Sequence, residues 1–76
     1  MQVFSYTAIV EYDPDTKLYV GTVPSVVGAH SQGETLDELH ANLREVVILC
    51  LEEAREHGEP LGSDTFVGLQ KIDVAL

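Results

Sequence analysis

A strong helix signal in the second half of the chain constrains the fold more than any other feature. Residues 35–38 (Thr-Leu-Asp-Glu) form a capping box, in which the threonine hydroxyl accepts from the third helical amide and the glutamate reaches back to the threonine amide. Gly58 and Pro60 mark the helix end. We therefore predict one helix from residue 36 to about His57, roughly 33 Å long. The apolar residues at helical spacing form one stripe predicted to face the core: Leu36, Leu39, Leu43, Val46, Val47, Cys50, Leu51 and Ala54.

Alternating and β-branched residues predict strands on both sides of this helix. Residues 3–12 form the first strand, and residues 13–16 (Asp-Pro-Asp-Thr) provide a turn into a second strand at 18–23. A short third strand is expected at 29–32, after a loop that begins at Pro24. A final strand is expected in the C-terminal part, which contains Phe66, Val67, Leu69, Ile72, Val74 and Leu76.

The predicted order is β-β-β-α-β, an α+β fold. An antiparallel three-stranded meander would be covered by one long helix and followed by a C-terminal strand. The length of 76 residues predicts a single domain spanning residues 1–76. Small chains often protect exposed sheet edges by pairing with a copy of themselves, so a homo-oligomer (a dimer or larger) is expected. One face of the first strand is predicted to line the core with Phe4, Tyr6, Ala8, Val10 and Tyr12.

The charge balance restricts the partners of the chain. There are 13 acidic and 4 basic residues, which give a formal charge of −9. Because phosphate binding needs clustered Lys and Arg, direct contact with nucleic acid or with an anionic membrane is not expected. A basic protein partner fits the charge better, although the same charge can serve solubility alone.

Most of the negative charge falls in and around the predicted helix. Residues 34–64 hold nine acids against two arginines. The outer helix face therefore presents an acidic ridge, and two apolar residues lie beside it. Isolated apolar surface residues are ordinary, but an apolar centre with an acidic rim is also typical of a protein contact. The candidate partner-binding residues are Glu38, Glu45, Ile48, Leu49 and Glu52, and the exposed sheet edge is the alternative.

The titratable residues show no pattern typical of a catalytic or metal site. His30, His40 and His57 fall in different predicted elements, without the i, i+4 spacing of a helical zinc pair. We interpret His40 as a partly buried structural residue and His57 as a favourable charge at the helix C-terminus. The helix carboxylates diverge from those near the first strand. The sequence therefore predicts no catalytic residue, no cofactor and no metal ligand.

The remaining sequence features concern the cellular compartment. The single cysteine, Cys50, excludes an internal disulfide. The first residues contain neither a basic region nor a long apolar run, so no signal peptide and no membrane span are predicted. A reducing, cytoplasmic environment is expected.

Motifs in the middle of the chain combine into a pattern found in one known family. They are residues 6–11 (Tyr-Thr-Ala-Ile-Val-Glu), 19–24 (Tyr-Val-Gly-Thr-Val-Pro), Gly28 and 31–38 (Ser-Gln-Gly-Glu-Thr-Leu-Asp-Glu). This hairpin, glycine loop and acidic helix entry resemble the HicB antitoxin family over about residues 6–53. Val27 and Leu39 depart from the family pattern, which usually has Pro before the loop glycine and often Ala after the acids.

The resemblance implies a fold and a function. It implies a partial, degenerate RNase H-like fold without the nuclease acids, and binding to HicA, a small basic mRNA-cleaving toxin whose active-site surface is covered. Residues 59–76 are too few for the DNA-binding module that usually follows in the family. Two alternatives stay open: an orphan HicB-like oligomer without a toxin, and a metal-dependent RNase H-like nuclease using Glu11 or Asp13.

Overall fold

A computed structural model describes residues 3–61, 64 and 67–76 of the chain. Within these residues, three antiparallel strands form a sheet in the order β1-β2-β3. One helix follows the sheet and packs against β3 and, less extensively, β2. The predicted α+β meander with one long helix is therefore confirmed. The elements are β1 (Ile9–Asp13), β2 (Leu18–Thr22), β3 (His30–Gly33) and α1 (Leu36–Glu56).

The predicted Asp-Pro-Asp-Thr turn joins β1 to β2. The Asp13 carboxylate accepts a hydrogen bond from the amide of Asp15 at 3.0 Å, and the Asp13 carbonyl accepts from the amide of Lys17 at 2.8 Å. Lys17 has a φ of 61°, the left-handed conformation that turns the chain back into β2. The side chain of Asp13 therefore has a structural role in the turn.

The first strand is shorter than its sequence pattern indicates. It begins at Ile9, which pairs with Thr22 at the end of β2. Val23 is the first residue after β2, and its amide donates to the carbonyl of Ala29 at 2.9 Å, on the side of β3. The residue after it, Pro24, has no N–H to donate to the first strand. Residues 3–8 consequently extend past the end of β2 and belong to no strand.

The loop between β2 and β3 contributes most of the buried core. The amides of Val26 and Ala29 donate to the carbonyls of Val23 and Val26, both at 3.1 Å, and fold this segment into a compact turn. Its buried side chains, those of Val23, Val26 and Ala29, pack under the helix with Leu39 and Leu43. The sequence interpretation of this segment as a connecting loop missed its role in the core. Partly buried residues surround the cluster: Tyr6, Ala8, Tyr19, Val46, Val47 and Cys50.

The helix ends agree with the capping signals. The hydroxyl of Thr35 accepts from the amide of Glu38 at 3.1 Å. At the other end His57 is the C-cap, and Gly58 has the left-handed φ of 69° that its position predicts. One member of the predicted stripe is wrong, since Leu36 is 56% exposed. Leu36 lies in the first turn, and the contact between helix and sheet begins only at Leu39.

The N-cap gives a stability prediction. Replacing Thr35 with alanine removes the acceptor for the Glu38 amide, so we expect the free energy of unfolding to fall by about 1 kcal/mol. Thr16→Ala, in the exposed β1–β2 turn, is the matched control and should change it by less than about 0.5 kcal/mol. Urea unfolding followed by circular dichroism measures both. Equal effects of the two substitutions would contradict the capping role.

The helix leaves β1 uncovered. Val10 is paired with Gly21 and Tyr12 with Tyr19, so these side chains lie on the sheet face toward the helix. The helix nevertheless makes its contacts with β2 and β3, and Val10 and Tyr12 are 46% and 52% exposed. The prediction that the whole face of the first strand lines the core is therefore wrong for these two residues, and also for Phe4, which is 38% exposed. A helix about 10 Å wide covers about two strands spaced roughly 4.8 Å apart.

The predicted C-terminal strand is not formed in the described residues. Residues 67–76 carry no strand assignment. Their apolar side chains are exposed, with Val67 at 100% and Ile72 and Val74 at 74% and 72%. A strand requires a neighbouring strand for its backbone hydrogen bonds, and this segment lies apart from the sheet. The predicted strand residue Phe66 lies outside the described residues.

Candidate protein-contact surface

The five candidate residues all lie on the exposed side of α1. Glu38, Glu45 and Glu52 follow one another at seven-residue spacing, which shifts position around the helix by only about 20° per step. All three glutamates are exposed. Ile48 and Leu49, three and four residues after Glu45, are 44% and 58% exposed. We call these five residues the acidic ridge.

Helix electrostatics separate the members of the ridge. Glu38 lies in the first turn, where a carboxylate interacts favourably with the positive end of the helix dipole, and its amide is part of the N-cap. Glu45 and Glu52 lie in the interior of the helix, where the dipole effect does not reach. Helix capping therefore accounts for Glu38 but not for the two central glutamates.

The two apolar residues of the ridge belong to different surroundings. Consecutive helix residues differ by about 100° in direction. Ile48 lines an open groove between the helix and the N-terminal segment, whereas Leu49 is not part of that groove. Leu49 is the more exposed of the two. At 100° per residue the three glutamates lie between the two apolar residues, with Leu49 on one side and Ile48 on the other, at the border with the groove.

The histidines occupy three separate positions. His30 is the first residue of β3 and is exposed, and His57 caps the helix with its amide donating to the carbonyl of Glu53 at 3.1 Å. His40 is exposed and lines the groove, so its interpretation as a partly buried structural residue is wrong. The reason is that the helix face carrying His40 points toward the uncovered side of the sheet.

The carboxylates of the first strand lie apart from the ridge. Glu11 alternates with Val10 and Tyr12, so it points away from the helix side of the sheet. The Asp13 carboxylate is occupied in the turn. In residues 3–61, 64 and 67–76, no three His, Cys, Asp or Glu side chains are grouped so that they could hold a metal ion. No helix in the same part of the chain has the length and hydrophobicity needed to cross a membrane.

A second exposed surface was missed by the sequence interpretation. It is formed by the uncovered face of β1 and the segment before it, with Phe4, Val10 and Tyr12 all more than one third exposed. The rings of Tyr12 and Tyr19 contact each other with centroids 5.0 Å apart. This surface could have been predicted from the number of elements, since a single helix cannot cover all three strands.

These features describe a small acidic α+β protein with two exposed surfaces, one acidic and one apolar. Comparison with protein families identifies its family. Residues 6–73 match the family model described as "HicB_like antitoxin of bacterial toxin-antitoxin system". The chain belongs to this HicB-like antitoxin family, as its motifs indicated.

The similar curated proteins support the same membership. A UPF0150 protein of Thermotoga maritima is 49% identical over 69 residues, covering 91% of this chain and 88% of the relative. UPF0150 proteins of Synechocystis and Archaeoglobus fulgidus are 44% and 37% identical, each with 91% of this chain and 93% of the relative covered. No solved structure matches the chain significantly.

Proposed function

We propose that this protein is an antitoxin that binds a small basic HicA-type toxin and blocks the RNA-cleaving surface of that toxin. The observation that carries the proposal is the acidic ridge in a member of an antitoxin family. Its central glutamates lie where helix capping gives them no role. In this proposal the toxin carries the nuclease chemistry, and the antitoxin contributes no catalytic residue and contacts no nucleic acid itself.

Two physical effects would contribute to binding, one to the lifetime of the complex and one to the association rate. Leu49, at 58% exposure, would lose its contact with water in the interface and so set the lifetime of the complex. Glu45 and Glu52 would attract the basic partner from a distance and raise the association rate. A ridge of this kind needs only surface complementarity, which a helix held rigidly on β2 and β3 provides.

Charge reversal tests the proposed surface. We expect Glu45→Lys combined with Glu52→Lys to slow association with the toxin by about tenfold or more, and to flatten its salt dependence. The matched control is Glu11→Lys with Asp15→Lys, which changes the charge equally on exposed residues of β1 and its turn. The probe is a purified small basic toxin of the HicA type, and its binding is measured by surface plasmon resonance at two salt concentrations.

The outcomes of this experiment separate the alternatives. Equal slowing in both double variants would indicate general charge attraction and would place the contact outside the ridge. No binding by the unmodified protein at low salt would contradict the antitoxin role. The uncovered apolar face of β1 would then favour the second candidate, an orphan HicB-like oligomer without a toxin partner.

A further inference from the structure

An open apolar groove lies between helix α1 and the segment that precedes β1. Its volume is about 640 Å³. Phe4, Tyr6 and Ala8 line one side, and Leu43 and Val47 line the other. Among the described residues that line it, the charged or titratable side chains near the helix are His40 and Arg44, and none is an Asp or Glu. In a chain with 13 acids, this groove is an apolar surface with a basic edge.

The C-terminal segment 67–76 has the properties of a missing strand. Ile72, Val74 and Leu76 alternate and so share one face of an extended chain. Residues 72–76 carry one charged side chain, Asp73, which lies on the opposite face, and Lys71 directly precedes them. The segment therefore combines an apolar face with a low charge.

The structure keeps this segment away from the groove of its own chain. Its apolar side chains are largely exposed. The molecule is 48 Å long with a radius of gyration of 14.6 Å, compared with about 11 Å for a compact chain of this size. Asp64, shortly before the segment, accepts hydrogen bonds from the hydroxyls of Thr7 and Ser25. Asp64 therefore lies beside the residues that precede β1, at the N-terminal end of the sheet.

The dimensions of segment and groove agree. From Ile72 to Leu76 an extended chain measures about 13 Å. Along the helix, the groove-lining residues run from His40 to Leu51, a distance of about 16 Å. Three alternating apolar side chains therefore fit the length of the groove, and the strand-like residues 3–8 lie beside it as a backbone partner.

From these observations we propose that two copies of the chain exchange their C-terminal segments. Residues 72–76 of each copy lie in the groove of the other, beside residues 3–8 and over the helix side of β1. The exchange is reciprocal and closed, as two-fold symmetry requires. It brings two chains of charge −9 together through the apolar face of this segment and the groove that lacks carboxylates.

The mass of the full chain in solution is the first measurement. Sedimentation velocity should give a particle of at least two chains. Val74→Asp places a charge on the apolar face and should reduce the mass to that of one chain. The matched control is Ala75→Asp, which adds the same charge on the opposite face and should leave the mass unchanged. Both positions are exposed, so neither variant threatens the fold of the monomer.

Disulfide trapping then distinguishes exchange from closure within one chain. In a Cys50→Ala background, one chain carries Val47→Cys in the groove, and a second, size-tagged chain carries Val74→Cys. Mixing them under mild oxidation should give a cross-linked pair of one tagged and one untagged chain. A further sample is one chain that carries both cysteine substitutions. If this chain cross-links only within itself and the mixed pair does not form, the proposal is overturned. A monomeric full chain, or equal masses for the two aspartate variants, would also overturn it.

Discussion

Replacing Leu39 with alanine is expected to lower the free energy of unfolding by about 3–5 kcal/mol, the upper part of the range for buried leucines. Leu39 is 1% exposed and is the largest fully buried side chain in the described residues. It packs with Leu43 and the loop valines, and Gly21 and Gly33 lie against it from the sheet. Because backbone surrounds part of the site, the cavity would not collapse. Domains are often only about 5–15 kcal/mol stable, so a large part of the stability would be lost.

The control is the same substitution on the outer face of the same helix. Leu49→Ala removes a side chain that is 58% exposed and should cost less than about 0.5 kcal/mol. Both variants are compared with the unmodified chain by urea unfolding at several protein concentrations. A large loss for Leu49→Ala that disappears on dilution would mean that the outer face is buried between copies. Equal losses at all concentrations would contradict the assignment of Leu39 to the core.

The helix could be predicted closely because its signals are local. Thr35 and Gly58 fix the ends through hydrogen bonds and backbone conformation within a few residues. The same periodicity put Glu45, Leu49 and Glu52 on the outer face, and all three are exposed. Membership of the ridge is therefore a consequence of helix geometry, whereas its role in binding depends on a partner and stays a prediction.

The strands were harder to predict because a strand depends on a neighbour that is distant in sequence. Residues 3–8 and 72–76 have good strand patterns, but β2 ends opposite Ile9, and the C-terminal segment lies apart from the sheet. Local propensity cannot reveal where a ladder stops. The partial RNase H-like interpretation needs that last strand in the sheet, and it stays a prediction together with the single-domain assignment.

The face of β1 is uncovered because one helix is too narrow for three strands, and the sequence pattern does not show which strand is left out. Alternation correctly placed Val10 and Tyr12 on the helix side of the sheet. Whether that side is buried depends on the position of the helix. The side-chain amide of Asn42 helps to hold the helix in place by donating to the Gln32 carbonyl of β3 at 2.8 Å. The helix is thereby held over the edge formed by β3, and the opposite edge is left for another chain or another segment.

The close approach of helix and sheet gives the last prediction, which concerns Gly33 at the end of β3. A Cβ atom at this position would lie 2.6 Å from the backbone nitrogen of Leu39, and 3.0 Å and 3.1 Å from the Leu39 Cα and the Glu38 carbonyl carbon. All three are helix backbone atoms, so no side-chain rotation can relieve the overlap. We expect Gly33→Ala to lower the free energy of unfolding by about 3 kcal/mol or more, because the whole helix start must move.

Substitutions at two other glycines serve as controls, because they show what a glycine-to-alanine change costs where no backbone atom is in the way. At Gly21 the added Cβ would lie 2.6 Å from Cδ1 of Leu43, a side-chain atom that can move, so Gly21→Ala should cost about 1–2 kcal/mol. At Gly68 nothing lies within 4 Å, and Gly68→Ala should be neutral. Denaturant midpoints measure all three. If Gly33→Ala is no worse than Gly21→Ala, the helix is not held by its backbone against β3, and the ridge is not the rigid surface assumed in the proposed toxin binding.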